Sequence, residues 1–130
     1  MKYTITLLFL FTFIILFNGC GNKFPLSGRV TYSDDGSALE YGVVCFETST
    51  FLARGEIGKN GKYVVGSVKQ TDGIPKGTYN VYVSGTEIGN GLLVDKKYAN
   101  PQSSGLTFTV DGKNKVFDFT VDRGTKITTK

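Results

Sequence analysis

PKGTYNVYV, residues 75–83, settles the fold class before any other part of the chain is read. Pro75 fixes its own φ and has no N–H to offer a helix. Gly77 frees the backbone for a sharp turn. From there Tyr79, Val81 and Val83 share one side of the chain, and Thr78, Asn80 and Tyr82 share the other. A period of two marks a half-buried strand. Tyr79 is expected in the core, with its hydroxyl satisfied near a sheet edge. Tyr82 is expected to face the opposite way, exposed.

The pattern repeats outward in both directions. Leu26–Tyr32, Ala53–Ile57, Leu106–Val110 and Phe117–Val121 alternate, and Gly42–Glu47 is apolar on both faces. Turn chemistry separates these runs. Ser33–Ser37 is one such turn, and Asn60-Gly61, before Tyr63–Val65, carries the hairpin signature of two residues that accept positive φ. Asp111–Asn114 reads as a second hairpin turn. No amphipathic helix is visible. About seven strands with turns at short spacing predict an all-β chain folded as an antiparallel sandwich.

One segment breaks this rhythm. Gly85–Gly105 has no strand pattern of its own, and Leu92-Leu93-Val94 precede Asp95-Lys96-Lys97-Tyr98. Loops beyond about 12 to 15 residues are usually functional or mobile. The other reading is a long crossover that covers a sheet edge. Tyr98, between Lys97 and Ala99, is expected at the surface. Tyr82, Lys97 and Tyr98 are therefore the candidate binding residues. Gathered in one exposed concavity, they would mark a ligand site; a flat polar surface with a capped edge would mark a scaffold.

Composition removes most catalytic chemistry. The chain has no histidine, which excludes a Ser-His-Asp triad, a Cys-His pair and histidine metal sites. Asp34-Asp35 reads as a turn, since a calcium loop needs more widely spaced oxygen ligands. No catalytic residue, metal site or cofactor is expected. Cys45, inside Val43-Val44-Cys45-Phe46, is expected to behave as a small core hydrophobe. Lysines are scattered singly or in pairs, which argues against a nucleic-acid groove.

The N-terminus supplies an address. After Lys2, residues 7–17 are uncharged, and eleven helical residues span about 16 Å, half of a bilayer core. That length suits a signal-peptide apolar region. Phe17-Asn18-Gly19-Cys20 resembles a bacterial lipobox, with Phe17 where Leu is usual and Asn18 where Ala or Ser is common. The expected organisation is a signal peptide over 1–19, a lipidated tether over 20–23 carrying acyl chains on Cys20, and one domain over 24–130. Cleavage before Cys20 removes Lys2, and the formal charge falls from +4 to +3. Gly21 follows the cysteine where aspartate would favour inner-membrane retention, so the expected location is the cell envelope, at the outer more than the inner membrane.

The ordered set Leu26-Ser-Gly-Arg-Val-Thr-Tyr32, Asp35–Phe46, Lys59-Asn-Gly-Lys-Tyr63 and Pro75-Lys-Gly-Thr-Tyr-Asn-Val81 resembles a carboxypeptidase-regulatory-like (transthyretin-like) domain. Small predicted bacterial lipoproteins of planctomycete type carry such a domain after a lipobox, and Lys97–Thr107 is also similar to theirs. The resemblance implies a seven-stranded antiparallel Ig-like or prealbumin-like sandwich. It implies no activity. Ring-opening hydrolases of this fold use histidines and a C-terminal Tyr-Arg-Gly-Ser, neither of which this sequence contains.

The expected function is that of an envelope lipoprotein whose β-domain is a structural or protein-interaction module and not an enzyme. The competing expectation is a binding protein for a peptide, a glycan or a small hydrophobic ligand, using the Gly85–Gly105 loop. The expected partners are a membrane, through the lipid anchor, and an envelope protein or glycan. Each buried methylene contributes about 0.8 kcal/mol, so several acyl chains on one cysteine hold firmly. Cys20→Ala should therefore move the processed protein from the detergent phase to the aqueous phase in a partition assay. Retention of the variant in detergent after signal cleavage would exclude lipidation as the anchor.

Overall fold

Side-chain alternation sorts the two faces of every long strand. The computed structural model describes residues 22–125. Residues 1–21, with the expected signal segment and Cys20, and residues 126–130 lie outside the described residues. The described chain is all-β. Its strands are β1 (Lys23–Phe24), β2 (Ser27–Tyr32), β3 (Val43–Glu47), β4 (Leu52–Glu56), β5 (Lys62–Val64), β6 (Ile74–Pro75), β7 (Gly77–Ser84), β8 (Glu87–Ile88), β9 (Gly91–Leu92), β10 (Leu106–Val110) and β11 (Phe119–Val121). Helix among the described residues is limited to two 3-10 turns, Lys59–Gly61 and Lys96–Ala99.

The longer strands form two sheets. One has the order β10-β7-β3-β4, and the other β11-β2-β5; β1–β6 and β8–β9 are small separate ribbons. In β7, Tyr79, Val81 and Val83 are buried, as the period of two requires. The Tyr79 hydroxyl donates to the Pro75 carbonyl at 2.9 Å, just outside the strand. Inward residues of both sheets meet in one cluster around Phe46, which is fully buried. Its ring lies 6.4 Å from Tyr79 in its own sheet, and 6.3 Å from Tyr63 of the other sheet and from Phe117 just before β11. Burying such a ring contributes about 1.5 to 3 kcal/mol, and each well-placed aromatic pair adds about 0.5 to 1.5 kcal/mol.

The pairing corrects three expectations. The sheets are not purely antiparallel, because β11 runs parallel to β2, with Phe119 opposite Val30. Asn60-Gly61 is not the turn of a hairpin, since β4 pairs with β3 while β5 pairs with β2. The backbone chemistry was read correctly all the same: φ is 62° at Asn60 and 74° at Gly61. Those angles carry the chain from one sheet to the other, with Asn60 N–H held by Glu40 and its carbonyl by Arg29. Asp111–Asn114 likewise crosses between sheets, β10 pairing with β7 and β11 with β2. The Asp111 carboxylate shapes that corner by accepting N–H groups of Lys113 and Asn114.

Two side chains also depart from expectation. Tyr98 is buried, at 8% exposure, and belongs to the core cluster. Asp95 starts the 3-10 turn by accepting Lys97 N–H, and the turn carries the Tyr98 ring inward. Cys45 is buried but stands outside the core cluster. It points to the outer face of its sheet, flanked by Tyr82 and Arg54 in register, with its sulfur 3.6 Å from Ser84 Oγ.

Tyr79→Ala should cost about 3 to 5 kcal/mol, the usual range for removing a buried aromatic. Tyr98→Ala should cost about 3 kcal/mol in urea melts, since its ring is in the same core. A Tyr98 loss below about 1 kcal/mol would place that ring at a surface position instead.

Candidate functional site

The loop after β7 is built from local bonds and then tied to the C-terminal end of β11. Leu93 N–H bonds to Thr86 and closes the β8–β9 ribbon. Leu92 and Asp95 then donate to the carbonyls of Thr125 and Asp122, and Gly124 donates back to Leu93. Residues 92–95 thus lie antiparallel to 122–125 and occupy the edge that continues β11. Ser104 anchors the far end through its hydroxyl, which donates to the Val81 carbonyl at 2.5 Å. The loop buries Thr86, Val94, Tyr98 and Ser104, so most of its distinctive side chains face the body of the protein.

Lys97 and Tyr98 converge on Asp122. Lys97 Nζ lies 2.6 Å from the carboxylate and 4.9 Å from the Tyr98 ring centre, and the Tyr98 hydroxyl donates to the same carboxylate at 3.2 Å. Ser33 donates to Asp122 at 2.5 Å. The Lys97 bond, then the Ser33 bond, hold the Asp122 carboxyl down at about 2, and the same pairing raises the Lys97 ammonium. Beside this group the Arg123 guanidinium stacks 3.8 Å from the Tyr32 ring centre and pairs with Asp34 and Asp35. Asp35 is lowered to about 2, chiefly by the Ser37 hydroxyl and N–H. Every cation here already has an anionic partner, which makes the cluster a latch between the loop, the β2 turn and the chain after β11.

Tyr82 is elsewhere. It is half-buried on the outer face of the four-stranded sheet, across from Cys45, and burial raises its hydroxyl above the ordinary value. Lys97 and Tyr98 are therefore brought together and Tyr82 is not. Cys20 lies outside the described residues. Among the described residues no group of three or more acidic or cysteine side chains is placed to hold a metal.

The structure has a groove that sequence reasoning missed. It runs between β4 and β5, the outer strands of the two sheets, and holds about 710 Å³. Arg54, Glu56, Lys62, Val64, Val68 and Lys69 are among its lining residues. The two strands come close because Gly55 has no side chain: a Cβ there would overlap the Val64 carbonyl and press on the Tyr63 ring. The groove's outer wall is the turn at 66–72. Asp72 organises that turn by accepting N–H groups of Ser67, Val68 and Lys69, and it binds Lys23 Nζ at 2.6 Å. These bonds, Lys23 first, keep its carboxyl well below the usual range. They also hold Thr71 at φ 68°, a conformation that a β-branched residue rarely adopts. The available signal was Val64: beside inward Tyr63 it sits on the solvent face of an alternating strand, where a polar residue is ordinary, and it is 47% exposed.

No family model matches the chain, and neither the curated proteins nor the solved structures give a match.

Carboxyls held below their ordinary value stabilise the fold above that value and lose this contribution as pH falls through the folded one. For Asp122 the window runs from 3.8 down to about 2. The urea midpoint should fall as pH is lowered through this window. Asp122→Asn should be less stable than wild type at neutral pH, and the difference should close by the acid end. A gap unchanged across the whole range would show that the carboxylate charge contributes nothing.

Proposed function

We propose that the chain is a membrane-anchored envelope lipoprotein whose β-domain is a non-catalytic structural or protein-interaction module. Its finer architecture is a seven-stranded Ig-like or prealbumin-like sandwich of the carboxypeptidase-regulatory-like kind. The four-stranded and three-stranded sheets sharing one core support that reading, as does the Pro-x-Gly-x-Tyr element seating its tyrosine in the core. The anchor is acylated Cys20, and the location is the envelope, at the outer more than the inner membrane.

The observation that carries the interaction role is the β4–β5 groove. Outer strands present unpaired backbone groups, and a partner's extended segment binds them by adding a strand. In the middle of β4 Arg54 already spends both backbone groups on Gly66, so an added strand would pair on either side of that point. A groove lined on its β4 side by the charged side chains of Arg54 and Glu56 suits an extended polypeptide better than an enclosed small molecule. The inward-facing loop side chains and the self-paired Lys97–Tyr98–Asp122 group offer less to a ligand.

A photo-crosslinking residue at Glu56, in the groove, tests this against one at Thr107, on the outer face of the four-stranded sheet. In native envelope, Glu56 should give a discrete protein adduct identifiable by mass spectrometry, and Thr107 should not. Equal adducts at both positions, or none at Glu56, would remove the groove as an interaction surface.

A further inference from the structure

We propose that the end of the domain next to the N-terminal tether docks on the surface of an anionic bilayer. This rests on the reading that the chain is held to a membrane near Cys20. Covalent geometry then keeps the docking end close, because three residue steps from Cys20 to Lys23 reach at most about 10 Å. At physiological ionic strength that is about one Debye length, so charges on this end act on the headgroups.

What this end presents is apolar and basic. Val68 is 83% exposed, Val116 58% and Val64 47%. All three are tied to the first residues of the domain. Val64 lies across from Ser27, and Val116 bridges Ser27 from the other side, so both project from the outer face of the three-stranded sheet. Val68 donates its N–H to Asp72, the carboxylate that grips Lys23. Among the described residues the other large exposed apolar side chains are Tyr41 and Ile88.

Four lysines belong to the same end of the domain. Lys69 donates its backbone N–H to the same Asp72 carboxylate. Lys76 Nζ lies 5.3 Å from the Phe24 ring centre. The Lys115 carbonyl accepts the Ser27 N–H, and Lys113 stands beside Gly112, which abuts the Phe24 ring. None of the four ammonium groups forms a salt bridge among the described residues. Two nearby carboxylates are engaged, Asp72 by Lys23 and Asp111 by the N–H groups of its own turn, and Glu56 shares the groove with Arg54 and Lys62 as well as with Val64 and Val68. The far end of β2 is the reverse. Some 17 Å away along the strand, Asp34, Asp35 and Asp122 gather around Arg123 and Lys97. A domain basic and apolar at its tethered end and acidic at the other has the polarity that an anionic membrane selects.

The test uses the full chain in vesicles, with an environment-sensitive fluorescent non-natural amino acid in place of Val68 or of Tyr41, so that neither Cys20 nor Cys45 carries dye. The vesicles contain phosphatidylcholine with or without phosphatidylglycerol, and brominated acyl chains serve as quencher. At position 68, emission should shift to the blue and be quenched when phosphatidylglycerol is present. It should return to the aqueous value in high salt, or when Lys69, Lys76, Lys113 and Lys115 are replaced by Glu. Position 41 should stay aqueous throughout. Equal signals at 68 in neutral and anionic vesicles, or equal signals at 41 and 68, overturn the proposal. So does a shift that follows protein density instead of lipid charge, which would make a second copy the occupant. The intact mass of the same sample reads acylation of Cys20 separately. An unacylated chain held by its apolar N-terminal run, with the signal at 68 intact, sinks the anchor reading and supports the docking surface.

Discussion

Phe46 sits where the two sheets have to agree. It leaves the middle of the four-stranded sheet and meets Tyr63 and Phe117 of the opposite layer as well as Tyr79 and Phe108 of its own. An interior packed at crystal density does not slide around such a ring. The registers of β3, β5 and β7, and the approach of the chain to β11, are thereby fixed together. A slip of one residue in any of these strands would turn its inward side chains to solvent.

Sheet closure depends on smaller features beside that ring. The Tyr63 hydroxyl donates to the Phe117 carbonyl, and burial pushes it well above its ordinary titration range. Gly28 lies under this bond, and a Cβ there would overlap the Phe117 carbonyl oxygen. On the opposite side of β5, Gly55 lets β4 approach. The three-stranded layer is thus pulled in on one flank by a hydrogen bond and admitted on the other by a missing side chain. What remains open between β4 and β5 is the groove, which is a consequence of how the layers meet and not a separate cavity in the core.

The sequence was most readable where a single strand decides the outcome. PKGTYNVYV identified β7, its inward face and the role of the Tyr79 hydroxyl without help from any other segment. It was less readable where two elements decide. The positive φ of Asn60 and Gly61 followed from local chemistry, but their placing β4 and β5 in different sheets depended on which strands found partners across the core. Tyr98 shows the same limit. Its place between Lys97 and Ala99 in a polar loop suggested a surface position, and nothing local signalled that Asp95 would start a 3-10 turn and aim the ring inward. Cys45 was read correctly as buried, but its direction is set by Val44 and Phe46, which claim the core face on either side of it. The groove was hidden for a related reason: its two walls are about ten residues apart in sequence and belong to different sheets, and only the misplaced apolarity of Val64 pointed to it.

Asp72 joins the regions on which the functional reading rests. Its carboxylate faces Lys23 on one side, at the start of the domain, and the N–H groups of the groove's outer wall on the other. The same turn holds Val68 and Lys69 out toward solvent. Without it, Thr71 would relax from a backbone conformation that costs on the order of 1 kcal/mol or more, and the wall would lose its shape along with the outermost valine. Lys23, the groove's outer wall and the exposed Val68 and Lys69 are therefore joined through one carboxylate. The proposed bilayer contact would take Val64, Val68 and Lys69, which also line the groove, and would leave an extended partner only the side formed by Arg54 and Glu56.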